Sequence, residues 1–191
     1  MNSKKLILYV FILVALVQLY LPAKMIFDKE KAISSGTEYK FKTAPVDPTD
    51  PFRGKYITLR FEETQFIVTD ETEWMYGEDA YVILTTDDEG YAKISCVSKT
   101  EPFDDVDFVK AKVSYISSID GKNLSIEYPF NRFYMEESKA LEAEIVYGET
   151  WNNQASVTYA LVNVKGNEAV LTDVLIDGVS IREIVKERQQ N

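Results

Sequence analysis

The chain has 191 residues, 46% of them apolar, and a formal net charge of −10, with no histidine and one cysteine. That is enough apolar matter for one packed domain or two small ones, and too much for a disordered chain. The acidic balance excludes a nucleic-acid partner; the missing histidine excludes Ser-His-Asp and Cys-His catalysis and any His-ligated zinc or iron, and a lone cysteine forms no internal disulfide.

The first predicted element is a membrane helix. Residues 6–21, LILYVFILVALVQLYL, are apolar apart from Gln18 and follow Lys4 and Lys5. Ala23 and Met25 to Phe27 extend the run to about 20 residues, a spanning length, with Lys24 able to snorkel. A cleaved signal peptide is the rival, but cleavage after Ala23 puts Leu21 where a small residue is wanted. An uncleaved anchor over 1–27 is favoured, single-pass in the cytoplasmic (inner) membrane. Lys4 and Lys5 then stay on the cytoplasmic side. Residues 1–23 hold two lysines and no acid, so the remainder of the chain carries −12.

Residues 28–44 are expected to form a charged stalk and a first strand. Beyond them the pattern is period-2 alternation. GKYITLRFE (54–62) sets Ile57, Leu59 and Phe61 on one face of a strand, and Tyr56, Thr58 and Arg60 on the other. AYVILTT, YAKISCV, DFVKAKVSYI, NLSIEY, ASVTYALVNV and AVLTDVLI are further strands. DDEG (87–90), DG (120–121) and KGN (165–167) read as hairpin turns. In YAKISCV, Ala92, Ile94 and Cys96 share a face, so Cys96 is expected to be a buried structural thiol. EESKALEAEIV (136–146) is rich in helix formers, and the tail from Arg182 is a short helix or frayed.

An internal repeat is visible at a shift of 78 residues. Pro51, Phe52 and Tyr56 fall on Pro129, Phe130 and Tyr134, and IVTDET (67–72) falls on IVYGET (145–150). Over 51–84 there are eight identities, where average residue usage gives about two. After a one-residue deletion, AKISCV (92–97) lies on AVLTDV (169–174), so 51–97 recurs as 129–174. The expected organisation is a first β module over 45–128 and a second over 129–191, paired into one sandwich or barrel-like body. The fold class is therefore mainly β: a single N-terminal transmembrane helix, then a duplicated β domain with one or two short helices.

The segment PVDPTDPFRGKYITLRF (45–61) resembles the signature of the GDYXXLXY protein family. Its motif stands here as Gly54-Lys55-Tyr56-Ile57-Thr58-Leu59-Arg60-Phe61, with Lys55 in place of the aspartate and Phe61 in place of the last tyrosine. YPFNRFYMEES (128–138) resembles the family's second block, and AVLTDVLIDG (169–178) its closing hairpin. The resemblance covers nearly the whole chain. It implies a bacterial, membrane-anchored envelope domain, often encoded near a multi-spanning membrane protein, and supplies a topology without a mechanism.

Asp47 and Asp50, each followed by proline, supply only part of a shell where calcium wants about six to eight oxygens. A stiff structural corner is favoured, with Arg53 forking onto one carboxylate and Gly54 beginning the motif; a partner-binding edge is the second reading. No metal and no cofactor are expected. Trp74 and Trp151 sit in matching loops as core plugs or exposed contacts. Glu136/Glu137 and Glu142/Glu144 are acid pairs of the kind glycosidases use, though their spacing along the chain does not set the separation in space. Ser34, Ser35 and Lys93 are the residues a serine–lysine peptidase would need, but no known nucleophile context surrounds them. The leading expectation is a non-catalytic domain that meets a membrane or envelope partner, such as a multi-spanning protein. Its contacts would come from Tyr56, Arg60, Arg132, Tyr134 and Glu137, with Leu59 held as a residue of the family motif; the alternative is a membrane-anchored hydrolase.

Overall fold

The computed structural model describes residues 3–44, 56–68, 73–103, 106–117, 123–152 and 156–190. Asp47, Asp50, Arg53 and Gly54, and the turn expected at 120–121, lie outside the described residues.

Helix α1 runs unbroken over Ser3–Ser35, through Pro22 and through most of the stretch expected as a stalk. An all-round apolar surface without a polar face suits a lipid environment, where a helix satisfies its own backbone. Its large apolar side chains from Ile7 to Phe27 are exposed, and it is long and apolar enough to cross a membrane. The helix ends where the Gly36 N–H donates to the Ala32 carbonyl at 2.9 Å. A Cβ at Gly36 would lie 2.3 Å from the Ala32 oxygen and 2.8 Å from the Val164 oxygen. Only glycine therefore fits where helix, first strand and barrel meet. Ala32 is fully buried, and the Asn163 amide donates to the Ile33 carbonyl at 3.3 Å, so the end of α1 is fixed to the barrel wall.

Among the described residues, twelve strands and two further helices follow: β1 Thr37–Ala44, β2 Tyr56–Thr58, β3 Arg60–Phe61, β4 Gln65–Ile67, β5 Asp79–Thr86, β6 Ala92–Ser98, β7 Val109–Ile116, β8 Asn123–Glu127, β9 Arg132–Tyr134, α2 Glu137–Asn152, β10 Thr158–Lys165, β11 Glu168–Ile176, β12 Val179–Ser180 and α3 Ile181–Gln190. One sheet has the order β12-β11-β10-β1-β3, another β4-β8-β7-β5-β6, and β2 pairs with β9. A parallel bridge from Lys40 to Tyr91 joins the first two sheets. The fold is mainly β, and the strands wrap into a nearly closed, barrel-like sheet.

The turns expected at 87–90 and 165–167 join β5 to β6 and β10 to β11. Asp87 makes the first one specific, because its carboxylate accepts from the Glu89 and Tyr91 N–H groups at 3.0 and 2.8 Å. These two hairpins share their register. Tyr81, Val82, Ile83 and Leu84 pair with Ser98, Val97, Cys96 and Ile94. Tyr159, Ala160, Leu161 and Val162 pair with Leu175, Val174, Asp173 and Leu171. Each ladder skips one residue at the corresponding place, Ser95 and Thr172. The Pro-Phe-x-x-x-Tyr tyrosines also meet, since Tyr56 lies opposite Tyr134 in the β2–β9 pair. Elsewhere the aligned segments differ in conformation: Gln65–Ile67 is a strand, and residues 143–145 are helical.

The skipped residue corrects the reading of Cys96. Ala92 and Ile94 are buried as alternation requires, but the bulge at Ser95 breaks the period and leaves Cys96 exposed. The GKYITLRFE strand is also divided. The Leu59 N–H donates to the Asn131 carbonyl at 2.9 Å, and the chain changes partner there, β2 joining β9 and β3 joining β1. Trp74 is a core plug, buried beneath Lys99, with no acceptor for its indole N–H among the described residues. Trp151 lies in α2 and not in a loop.

The barrel closes around an aromatic knot. Phe41 of β1 packs on Phe61, Tyr128 and Phe130 with ring centroids 5.2–5.3 Å apart. Such pairs contribute about 0.5–1.5 kcal/mol each beyond their buried area. α2 covers one opening with Ala140, Ala143, Val146 and Tyr147, which share a helical face. α3 buries Ile181 and Val185, four apart, and its Arg188 reaches Glu142 and Glu149 on α2.

Candidate functional site

The motif strands build a two-faced ribbon. On β2 and β9, Ile57 and Phe133 point into the core, and period-2 alternation turns Tyr56, Thr58, Arg132 and Tyr134 outward. The Tyr56 and Tyr134 rings lie 5.4 Å apart, and the Arg132 guanidinium sits 5.1 Å from the Tyr56 centroid. Three of the expected contact residues are thus brought together. Tyr134 is 61% exposed and forms the apolar part of that surface.

The others separate. Leu59, the leucine of the motif, is 2% exposed and packs in the core on the face it shares with Ile57 and Phe61. Arg60 is exposed on β3 and lines a different cleft of about 470 Å³ with Thr58, Ser125, Tyr128 and Asn131. In that cleft the Tyr128 hydroxyl donates to the Glu63 carbonyl at 2.9 Å, and burial pushes its phenol well above the usual tyrosine range. The Ser114 hydroxyl donates to the Ser125 carbonyl at 3.1 Å. Glu137 opens α2, where a carboxylate is favoured by the helix dipole.

One residue that pattern reading passed over is central to the ribbon. Arg182, at the start of α3, lies 4.6 Å from the Phe133 centroid, donates to the Thr172 carbonyl at 3.1 Å and pairs with Asp173 at 3.6 Å. It ties the ribbon to the bulge of β11. It also lines a cavity of about 260 Å³ with Tyr134, Met135, Glu136 and Lys139. Nothing in the tail sequence marks it, because its partners are distant in the chain.

Several other charged residues are engaged structurally. The Lys112 and Lys110 ammonium groups bracket Asp79 and hold its carboxyl below the usual range; Lys99 does the same for Glu78. The Ser34 and Ser35 hydroxyls donate to the Lys31 carbonyl at the end of α1. Lys93 is exposed on β6. Among the described residues, no three Asp, Glu or Cys side chains converge as a metal would require. The surface gathered here provides aromatic faces, fixed cations and hydrogen-bonding groups, which suit recognition.

No curated protein and no solved structure matches the chain. The family model described as GDYXXLXY protein matches residues 18–174, from the second half of α1 to the bulge region of β11. The match spans the barrel and both motif strands, and the chain belongs to the GDYXXLXY family.

Proposed function

We propose that this protein is a single-pass anchor carrying a non-catalytic β domain on the outer side of the cytoplasmic membrane, where it binds a membrane or envelope partner. The observation that carries the reading is α1. Residues 7–27 present an unburied apolar length of roughly 30 Å, which matches a hydrocarbon core. The same helix continues into a joint packed against β10 and β11. A rigid joint is what a domain needs to present one fixed surface to a neighbour in the same membrane.

The contact surface is the ribbon of Tyr56, Arg132 and Tyr134, supported from below by Arg182. Aromatic and arginine side chains dominate binding energetics when a partner desolvates them. Asp47, Asp50, Arg53 and Gly54 lead the chain into this ribbon and would stiffen its approach; Arg60 and Glu137 would extend its rim. A photo-crosslinking residue at Tyr134 in native membranes tests the reading. A discrete membrane-protein adduct at Tyr134 and none at Asp88 supports it; equal background at both positions removes it.

The two modules, 45–128 and 129–191, are proposed copies of one ancestral unit. The shared hairpin register and the paired Tyr56 and Tyr134 support this. Aligning the two halves across family members tests it. Similarity no greater than that of shuffled sequences at the same offset would end the idea.

A further inference from the structure

One edge of the barrel lies beside the apolar end of α1. The last apolar turn of the helix, Met25 to Phe27, is exposed on every residue. From Phe27 to Ser35 the helix rises only about 12 Å, against a headgroup layer roughly 5–8 Å deep. The domain narrows this gap. Val106, Lys165 and Gly166 share a cavity of about 410 Å³ with Lys24, Asp28 and Lys31 of α1. The turn between β10 and β11 therefore stands alongside the apolar turn and not beyond it.

The loop before β7 is pinned to that turn. The Gly166 N–H donates to the Asp107 carboxylate at 2.7 Å, and the Phe108 N–H donates to the Gly166 carbonyl at 2.9 Å. Three residues before Val106, within about 11 Å of chain, stands Phe103, 94% exposed. Single exposed apolar residues are common. This one is nearly bare and lies close to the exit of an apolar helix, a setting in which an aromatic ring has somewhere to go. The charges agree. Asp28 is paired with Lys24, and both Asp107 oxygens accept bonds from Gly166 and Thr37. Of the acids lining this edge, Asp28 and Asp107 are engaged in this way, while Glu168 lines it as well; Lys31 and Lys165 are the cations left to meet lipid phosphates.

We propose that the β domain rests directly on the bilayer that holds α1, with Phe103 and Val106 entering the headgroup layer and Lys31 and Lys165 meeting lipid phosphates. This rests on the reading of α1 as a membrane span. The test uses the full chain carrying Cys96→Ser, reconstituted in vesicles of phosphatidylcholine with a minority of phosphatidylglycerol. An environment-sensitive thiol label is placed at Phe103→Cys, at Leu13→Cys in the helix, and at Asp88→Cys in the β5–β6 turn. Lipids carry a nitroxide quencher either near the headgroup or near the chain end. Quenching at residue 103 by the shallow nitroxide, about twofold or more above that at residue 88, supports the proposal. Equal quenching at 103 and 88, with residue 13 quenched by the deep nitroxide, overturns it and leaves the anchor standing. No quenching at residue 13 overturns the anchor itself, and the proposal with it.

Discussion

Leu59→Ala separates a structural from a recognition role for the leucine of the family motif. Leu59 is 2% exposed, and its backbone N–H bond to Asn131 survives the change, so the loss is one of packing alone. Three methylene equivalents at about 0.8 kcal/mol each give roughly 2.4 kcal/mol of lost transfer energy, and the unfilled cavity raises this to about 3–4 kcal/mol. In a domain of this size that lowers Tm by about 6–16 °C. The assay is urea and thermal unfolding of the full chain in detergent, followed by tryptophan fluorescence. Leu59→Met, which conserves volume, should cost less than about 1.5 kcal/mol, and Arg60→Ala should leave the midpoint in place. A loss below about 1 kcal/mol for Leu59→Ala would refute the reasoning, because a leucine this enclosed has too little room to relax.

Gly36→Ala should loosen the joint between α1 and β10, since the added carbon meets two backbone oxygens that cannot swing aside; faster proteolysis near residues 33–37 reads this out, and wild-type resistance contradicts it. Tyr147 is buried and its phenol is pushed up to about 12 from the ordinary 10.0. A raised folded value gives stability that is complete below pH 10 and lost as the pH climbs through 12, so unfolding should begin in that window and Tyr147→Phe should move its onset upward. Asp79, Glu78 and Glu149 have lowered folded values, caused first by Lys112, Lys99 and Arg188 respectively. Their stabilisation is complete above the ordinary values of 3.8 to 4.5 and fades as the pH falls through the lowered ones, so Asp79→Asn should flatten the acid limb of stability against pH. The lysines on Asp79 and the Arg188–Glu149 pair are exposed, while Glu78 and Lys99 are half-buried, so molar salt should erase most of the first two contributions and less of the third.

Much of the fold was legible because its signals are local. The alternation in AYVILTT and ASVTYALVNV, the acid-rich turn at 87–90 and the helix formers after Glu136 each state their structure within a few residues. What escaped was decided at a distance. Ser95 and Thr172 look like ordinary strand residues, yet each is skipped by its partner strand, and that slip alone turns Cys96 outward. The division of GKYITLRFE at Leu59 depends on Asn131, more than 70 residues later. At the candidate site the outward set of Tyr56, Thr58 and Arg132 followed from period-2 alternation. The same rule set Leu59 on the other face with Ile57 and Phe61, and all three are buried. Arg182 could not have been found, because its contacts with Phe133 and Thr172 exist only once the barrel has closed.

Cys96 offers the most direct test of the anchored, outward-facing topology. It is the single cysteine of the chain and it is exposed on β6. Intact spheroplasts are treated with a membrane-impermeant maleimide, then compared with lysed ones, with Cys96→Ser as the blank. Equal labelling before and after lysis is the expected result. Labelling that appears only after lysis would place the β domain in the cytoplasm and contradict the account.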